Sequence, residues 1–132
     1  MDIEKILKTA RTIAVVGCSR DPAKDAHCIP AYLQGHGYRI IPVNPGAMVI
    51  LGERCYPSLK DIPGAIDIVD IFRPGSEVMG IVREAVALQP KPKAIWTQLG
   101  IRDDAAKQLA EAHGIAFVQD RCIMAEHQKL VR

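Results

Sequence analysis

No charge of one sign dominates the 132-residue chain: 17 Lys plus Arg face 15 Asp plus Glu, a formal net charge of +2. With no run of like charges, this argues against nucleic-acid binding by bulk electrostatics, although a local basic pocket for a phosphorylated small molecule stays open. Long apolar stretches are also missing, and the opening MDIEKILK is charged where a signal peptide would be apolar. Neither a membrane span nor export is expected. The four cysteines, Cys18, Cys28, Cys55 and Cys122, have no C-x-x-C spacing and no paired His motif, so a metal site is not expected. Free thiols in a reducing cytoplasm fit that pattern. There is no Ser-rich linker, repeat or low-complexity tract. A chain 48% hydrophobic and 24% charged reads as one soluble domain over residues 1–132, long enough to bury roughly two-thirds of its unfolded surface without staples.

Apolar runs alternate with helical periods throughout, the pattern of an α/β domain. An amphipathic helix over residues 2–10 puts Ile3, Ile6, Leu7 and Ala10 on one face. Residues 12–16, 38–43, 66–72, 94–97 and 115–119 read as five strands, and their continuous apolar character suits parallel strands covered on both faces. Ser76 and Asp103 are predicted N-caps, Gly114 a left-handed residue just past a helix, and residues 124–130 a closing helix. The expected architecture is a Rossmann-like, doubly wound parallel five-stranded sheet of order 3-2-1-4-5 with helices on both faces. Ligands of such sheets bind beyond the carboxyl ends of the strands, which directs attention to five strand-end segments.

The first, Gly17-Cys18-Ser19-Arg20 through Lys24, combines a glycine, a hydroxyl and two cations. Two readings stand: a phosphate cradle of backbone N–H groups, helix dipole and cations, or a tight turn with surface cations. The dinucleotide fingerprint G-x-G-x-x-G is absent, because Ser19 and Pro22 occupy its later glycine positions, and a Walker loop is absent too. Asn44 stands where an NAD enzyme usually carries an acid, which demotes hydride chemistry. The second segment, Val43-Asn44-Pro45, is rigid and suits recognition of a ribose or adenine edge, or forms an Asx-type turn. Phe72-Arg73 pairs an aromatic face with a guanidinium. Trp96 reads as core packing or ligand contact, Gln98 as a polar contact, and Gly100 as a place where a ligand chain can lie on backbone.

No catalytic constellation emerges, since no histidine is tied by spacing to a nucleophile and the acids occupy turn, cap and helix positions. Cys18 and Cys122 share the ligand edge. With the fourth strand between theirs, their ends are expected about 9–10 Å apart, too far for a disulfide without loop movement.

Together these residues resemble a known family. Val16-Gly-Cys-Ser19, Pro22-Ala-Lys-Asp25, Gly37-Tyr-Arg-Ile-Ile-Pro-Val-Asn-Pro45, Asp70-Ile-Phe-Arg73, Trp96-Thr-Gln-Leu-Gly100 and Asp120-Arg-Cys122, in that order, are similar to segments of stand-alone CoA-binding (YccU-like) proteins. They are similar also to the CoA-binding domain of the succinyl-CoA synthetase alpha subunit. The resemblance implies coenzyme A lying across the switch point. Gly17, Ser19, Arg20 and Lys24 would hold phosphate, Asn44 and Pro45 would contact the nucleotide, and Phe72, Arg73, Trp96, Gln98 and Gly100 would border the adenine or pantetheine path. The enzymes among those relatives carry phosphohistidine and nucleotide-grasp regions in further domains. Two positions depart from the family: Ala26 removes a hydroxyl, and Pro30 requires that its helix start near Cys28 or kink.

The function that follows is a non-catalytic, cytoplasmic module that binds or senses CoA or acyl-CoA, with a protein partner left unidentified. The alternatives are an NADP-type oxidoreductase fragment, an acyl-CoA ligase subunit needing a partner, or an interaction scaffold with a decayed site. A thiol ligand near Cys18 or Cys122 would also permit a mixed disulfide with CoA.

Overall fold

The computed structural model describes residues 2–131. The chain opens with α1 (Ile3–Thr9), capped by the Asp2 carboxylate on the Lys5 N–H, and enters β1 (Thr12–Val16). Helix α2 (Asp25–Gly35) leads to β2 (Arg39–Val43). A small hairpin, β3 (Val49–Ile50) with β4 (Glu53–Arg54), and a 3-10 turn at Leu59–Asp61 precede β5 (Ile68–Ile71). Then α3 (Gly75–Val86), β6 (Ala94–Thr97), α4 (Asp104–Ala112), β7 (Ala116–Val118) and α5 (Ile123–Leu130) complete the fold.

Alternation along each strand divides the core into two layers. Ala14, Val16, Val69, Ile71 and Ile95 face a layer with Leu59, Ile62, Ile66, α3 and α4. Ile13, Val15, Ile68 and Trp96 face the other, with α1, α2, α5, Ile50 and Cys55. The five main strands are parallel and helices cover both faces, as the apolar runs predict.

The strand order is different. Counted among the five main strands it is 2-1-3-4-5, not 3-2-1-4-5, because β5 lies between β1 and β6 while β2 forms an edge. Residues 44–67 cross the sheet with Leu59, Ile62 and Ile66 buried beneath α3, and β5, buried at every position, takes a central place. Pro42 carried the missed signal, since proline cannot donate to a ladder and belongs on an edge strand. Its carbonyl points outward, accepting from the Tyr56 N–H at 3.0 Å. The order also separates β1 from β7 by two strands, which puts the ends of those two strands about 14 Å apart in strand spacings.

Local departures are small. The cap of α3 is Pro74 rather than Ser76, whereas Asp103 caps α4 through the Ala106 N–H and Gly114 has φ +75°. Helix α2 begins at Asp25, three residues before Cys28, and contains Pro30.

Candidate functional site

The connections leaving β1 and β5 depart to opposite layers, α2 to one and α3 to the other. Between them opens a cleft of about 600 Å³, within the range of small-molecule sites. The close approach of its walls depends on Gly17, which has φ +89°. A Cβ there would lie 2.8 Å from Arg73 Cδ and 3.0 Å from the Phe72 carbonyl oxygen. The Gly17 N–H donates to the Val43 carbonyl at 3.0 Å, and Phe72 N–H to that of Val16 at 2.8 Å, so three strand ends meet at one point.

Gly17, Ser19, Lys24, Val43, Asn44, Pro45, Phe72 and Arg73 line this cleft, as the strand-end reading predicts. Asn44 acts there as a brace: its amide donates to the Cys18 carbonyl at 2.9 Å and its oxygen accepts the Gly46 N–H at 2.7 Å. The Asx-turn reading of Asn44 thus describes its bonds, and its ring-like turn sets Pro45 at the cleft wall. Lys24 is exposed and forms the N-cap of α2 without a side-chain cap bond. The His27 and Cys28 N–H groups both donate to the Lys24 carbonyl at 3.0 Å, which leaves the Asp25 and Ala26 amides of the first turn without an intrahelical acceptor, with Ala26 in the cleft lining. Arg73 forks onto Glu77, with Nε to Oε1 at 3.1 Å and Nη2 to Oε2 at 2.8 Å. That hydrogen bonding holds the Glu77 carboxyl below its ordinary range. Both side chains remain about half exposed, at 48% and 46%, so an anion can reach the guanidinium.

Five expected site residues are not brought to the cleft. Arg20 is exposed beyond it. The Cys18 side chain is fully buried among Val15, Cys55 and Trp96, and burial, with lesser contributions from Cys55 and Asp70, pushes its thiol up to about 12. A thiol that stays protonated near neutrality is a poor nucleophile, which weighs against a mixed disulfide there. Trp96 is also fully buried, donating Nε1–H to the Arg121 carbonyl at 2.8 Å. Gln98 accepts the Ile123 N–H at 3.2 Å and so caps α5. The Gly100 N–H donates to Asp120 Oδ1 at 2.7 Å. These groups close the edge above β6 and β7.

The cleft includes residues the sequence reading did not assign. Glu77, Ile81 and Glu84 share one face of α3, at spacings i, i+4 and i+7 that the sequence carries beside the helix's apolar face. Pro57, Ser58 and Leu59 come from the crossing segment, which has no helical or strand period to announce it. The walls thus combine the cations Lys24 and Arg73 and the start of α2 with the apolar side chains of Pro45, Pro57, Phe72 and Ile81 and with the acids Glu77 and Glu84, a mixture that admits a ligand with both phosphates and an apolar body. Among the described residues no cluster of His, Cys, Asp and Glu fit for a metal occurs, and no helix is long and apolar enough to cross a membrane.

Against known proteins, residues 11–128 match the CoA binding domain family. The chain is 36% identical over 126 residues to the uncharacterized protein YneT of Bacillus subtilis, covering 96% of this chain and 92% of that one. It is 37% identical over 131 residues to the alpha subunit of an ADP-forming acetate–CoA ligase II of Pyrococcus furiosus, covering 91% of this chain but only 29% of that subunit. A solved structure from Thermus thermophilus superposes with a TM-score of 0.92 at 40% identity, over 98% of this chain and 99% of the other.

Proposed function

The chain belongs to the CoA-binding domain family, and from that premise we propose that it binds coenzyme A or an acyl-CoA in the cleft between α2 and α3, as a binding or sensing module without catalysis of its own. The observation that carries this reading is the convergence of Lys24, Arg73 and the start of α2 on a cleft that also presents the apolar side chains of Pro45, Pro57, Phe72 and Ile81. Phosphate is held there by charge-assisted bonds and helix amides. Phe72, Pro45, Leu59 and Ile81 offer faces for the adenine or the pantetheine chain. The lining hydroxyl of Ser58 donates to Asp61 at 2.8 Å, and Glu77 is engaged by Arg73.

A second reading is supported by the likeness to the ligase alpha subunit, of which this chain spans 29%. The domain would then present CoA to a protein partner that performs the transfer. The experiment for both is calorimetric titration of the protein with CoA, 3′-dephospho-CoA, NADP and NAD. Saturable CoA binding, weakened about tenfold or more in Lys24→Ala and Arg73→Ala, is expected. A folded, ligand-free protein that ignores CoA, or prefers NADP, overturns the reading.

A further inference from the structure

In an uninterrupted helix the N–H of residue 30 donates to the carbonyl of residue 26. Pro30 lies inside α2 and has no N–H to give, and its ring crowds that same carbonyl. The Ala26 carbonyl is nonetheless satisfied: it accepts the Ser19 N–H at 3.0 Å. One turn of helix has lost an internal bond, and the loop following β1 supplies the replacement.

The other side of Ser19 is fastened by the next residue of the helix. His27 Nδ1 lies 2.7 Å from the Ser19 carbonyl oxygen, which can only accept, so the imidazole carries its proton on Nδ1. The Ser19 hydroxyl oxygen in turn accepts the Asp21 N–H at 3.0 Å. Ser19 is therefore engaged at its amide, carbonyl and hydroxyl, while its neighbours Gly17 and Cys18 are tied to Val43 and Asn44. Pro30 itself is buried against the core beside Ile29 and Leu33.

We propose that Pro30 and His27 are positioning residues for the cleft: Pro30 releases the Ala26 carbonyl to Ser19, and His27 clamps the Ser19 carbonyl, fixing the loop before ligand arrives. Neither residue touches the ligand. A loop already ordered does not lose its freedom on binding, so affinity rises by preorganisation. The proposal rests on the CoA reading for the ligand, but its structural half is measurable without one. It also reverses the sense of the Pro30 departure, from a defect in the helix to the origin of a loop anchor.

The test follows the Ser19 amide by hydrogen exchange in the ligand-free protein, and CoA affinity by calorimetry, in the parent, Pro30→Ala, His27→Ala and His27→Asn. Alanine at position 30 restores an N–H that recaptures the Ala26 carbonyl. Ser19 exchange is expected to quicken about tenfold and CoA binding to weaken by a similar factor, while the thermal midpoint does not fall. His27→Ala should act the same way, and His27→Asn, whose amide nitrogen replaces Nδ1, should restore both readouts. Unchanged Ser19 exchange and CoA affinity in folded Pro30→Ala and His27→Ala overturn the proposal. If Pro30→Ala does not fold, the contrast between His27→Ala and His27→Asn decides alone. A parent that binds no CoA overturns the CoA reading, while the exchange rates still judge the anchor.

Discussion

At the ends of β1, β2 and β5 the polar groups surround an open cleft, with Lys24 exposed and Arg73 held only by a half-exposed partner. At the ends of β6 and β7 the polar groups satisfy one another. Thr97 Oγ1 donates to the Ile101 carbonyl and accepts the Asp120 N–H, Asp120 accepts from Gly100, Gln98 caps α5, and Trp96 donates to Arg121. The two halves offer similar residue types at equivalent positions of one sheet. What separates them is how the loops use their polar groups. The connections diverge to opposite layers in both pairs, α2 and α3 after β1 and β5, α4 and α5 after β6 and β7, but only the loops after β6 and β7 direct their side-chain bonds at each other. A strand end is thus open to a ligand where charged groups such as Lys24 and Arg73 are left accessible.

Truncation in the closed half should break structure and leave binding intact. Trp96→Ala removes the largest fully buried side chain, and a loss of about 3–5 kcal/mol is expected in urea unfolding. CoA affinity of the native fraction should stay near that of the parent, and a folded variant with much weaker binding would break the contrast.

Asp70, beside Trp96 in register, is the sharper probe of the boundary. Both its carboxylate oxygens are buried without a partner among the described residues, and burial raises its pKa well above the ordinary value of 3.8. Below that value both folded and unfolded chains are protonated. As pH rises above it, the unfolded chain ionises while the buried acid keeps its proton, so stability falls toward the folded pKa. Asp70→Asn should flatten this slope and stabilise the protein at neutral pH by about 1–3 kcal/mol. Unfolding curves at pH 4 and pH 7 check it.

In the open half the order of effects inverts. Arg73→Ala should weaken CoA about tenfold, close to 1.4 kcal/mol, and change unfolding stability by only about 0.5 kcal/mol, since its ion pair is half exposed. Equal losses in stability and binding would erase the distinction between the halves.

The smallest effect concerns the docking of α5. His127 is buried, bonded to Tyr32 at 2.7 Å, and packed against the rings of His36 and Tyr38. Burial, then His36, lowers its pKa from 6.5. Its contribution is present above that value and is lost as pH falls through the lower folded pKa. The protection factors of the α5 amides, corrected for the intrinsic pH dependence of exchange, should fall as pH drops below His127's ordinary value of 6.5, and the change should be absent in His127→Gln.

Much of this was legible in advance, for definable reasons. The apolar runs of β1, β5 and β6 and the helical faces of α1 and α3 are local patterns, and so are the turn residues that mark strand ends. Eight cleft residues followed from them. Trp96, Gln98 and Gly100 read as ligand contacts from the sequence because a strand-end position does not say whether a partner within the chain takes the polar group. Pro57, Ser58 and Leu59 were missed because their segment has no period.

The sequence by itself determined the α/β class, the five parallel strands, the cap at Asp103, and the chemistry at the strand ends, since each depends on residues a few positions apart. Only the tertiary structure decided the strand order, the closure of the β6–β7 edge, and the use of the carbonyl that Pro30 leaves free. Those depend on which distant groups meet: a backbone N–H at position 19 and a carbonyl at position 26 become partners only after the sheet and α2 have packed.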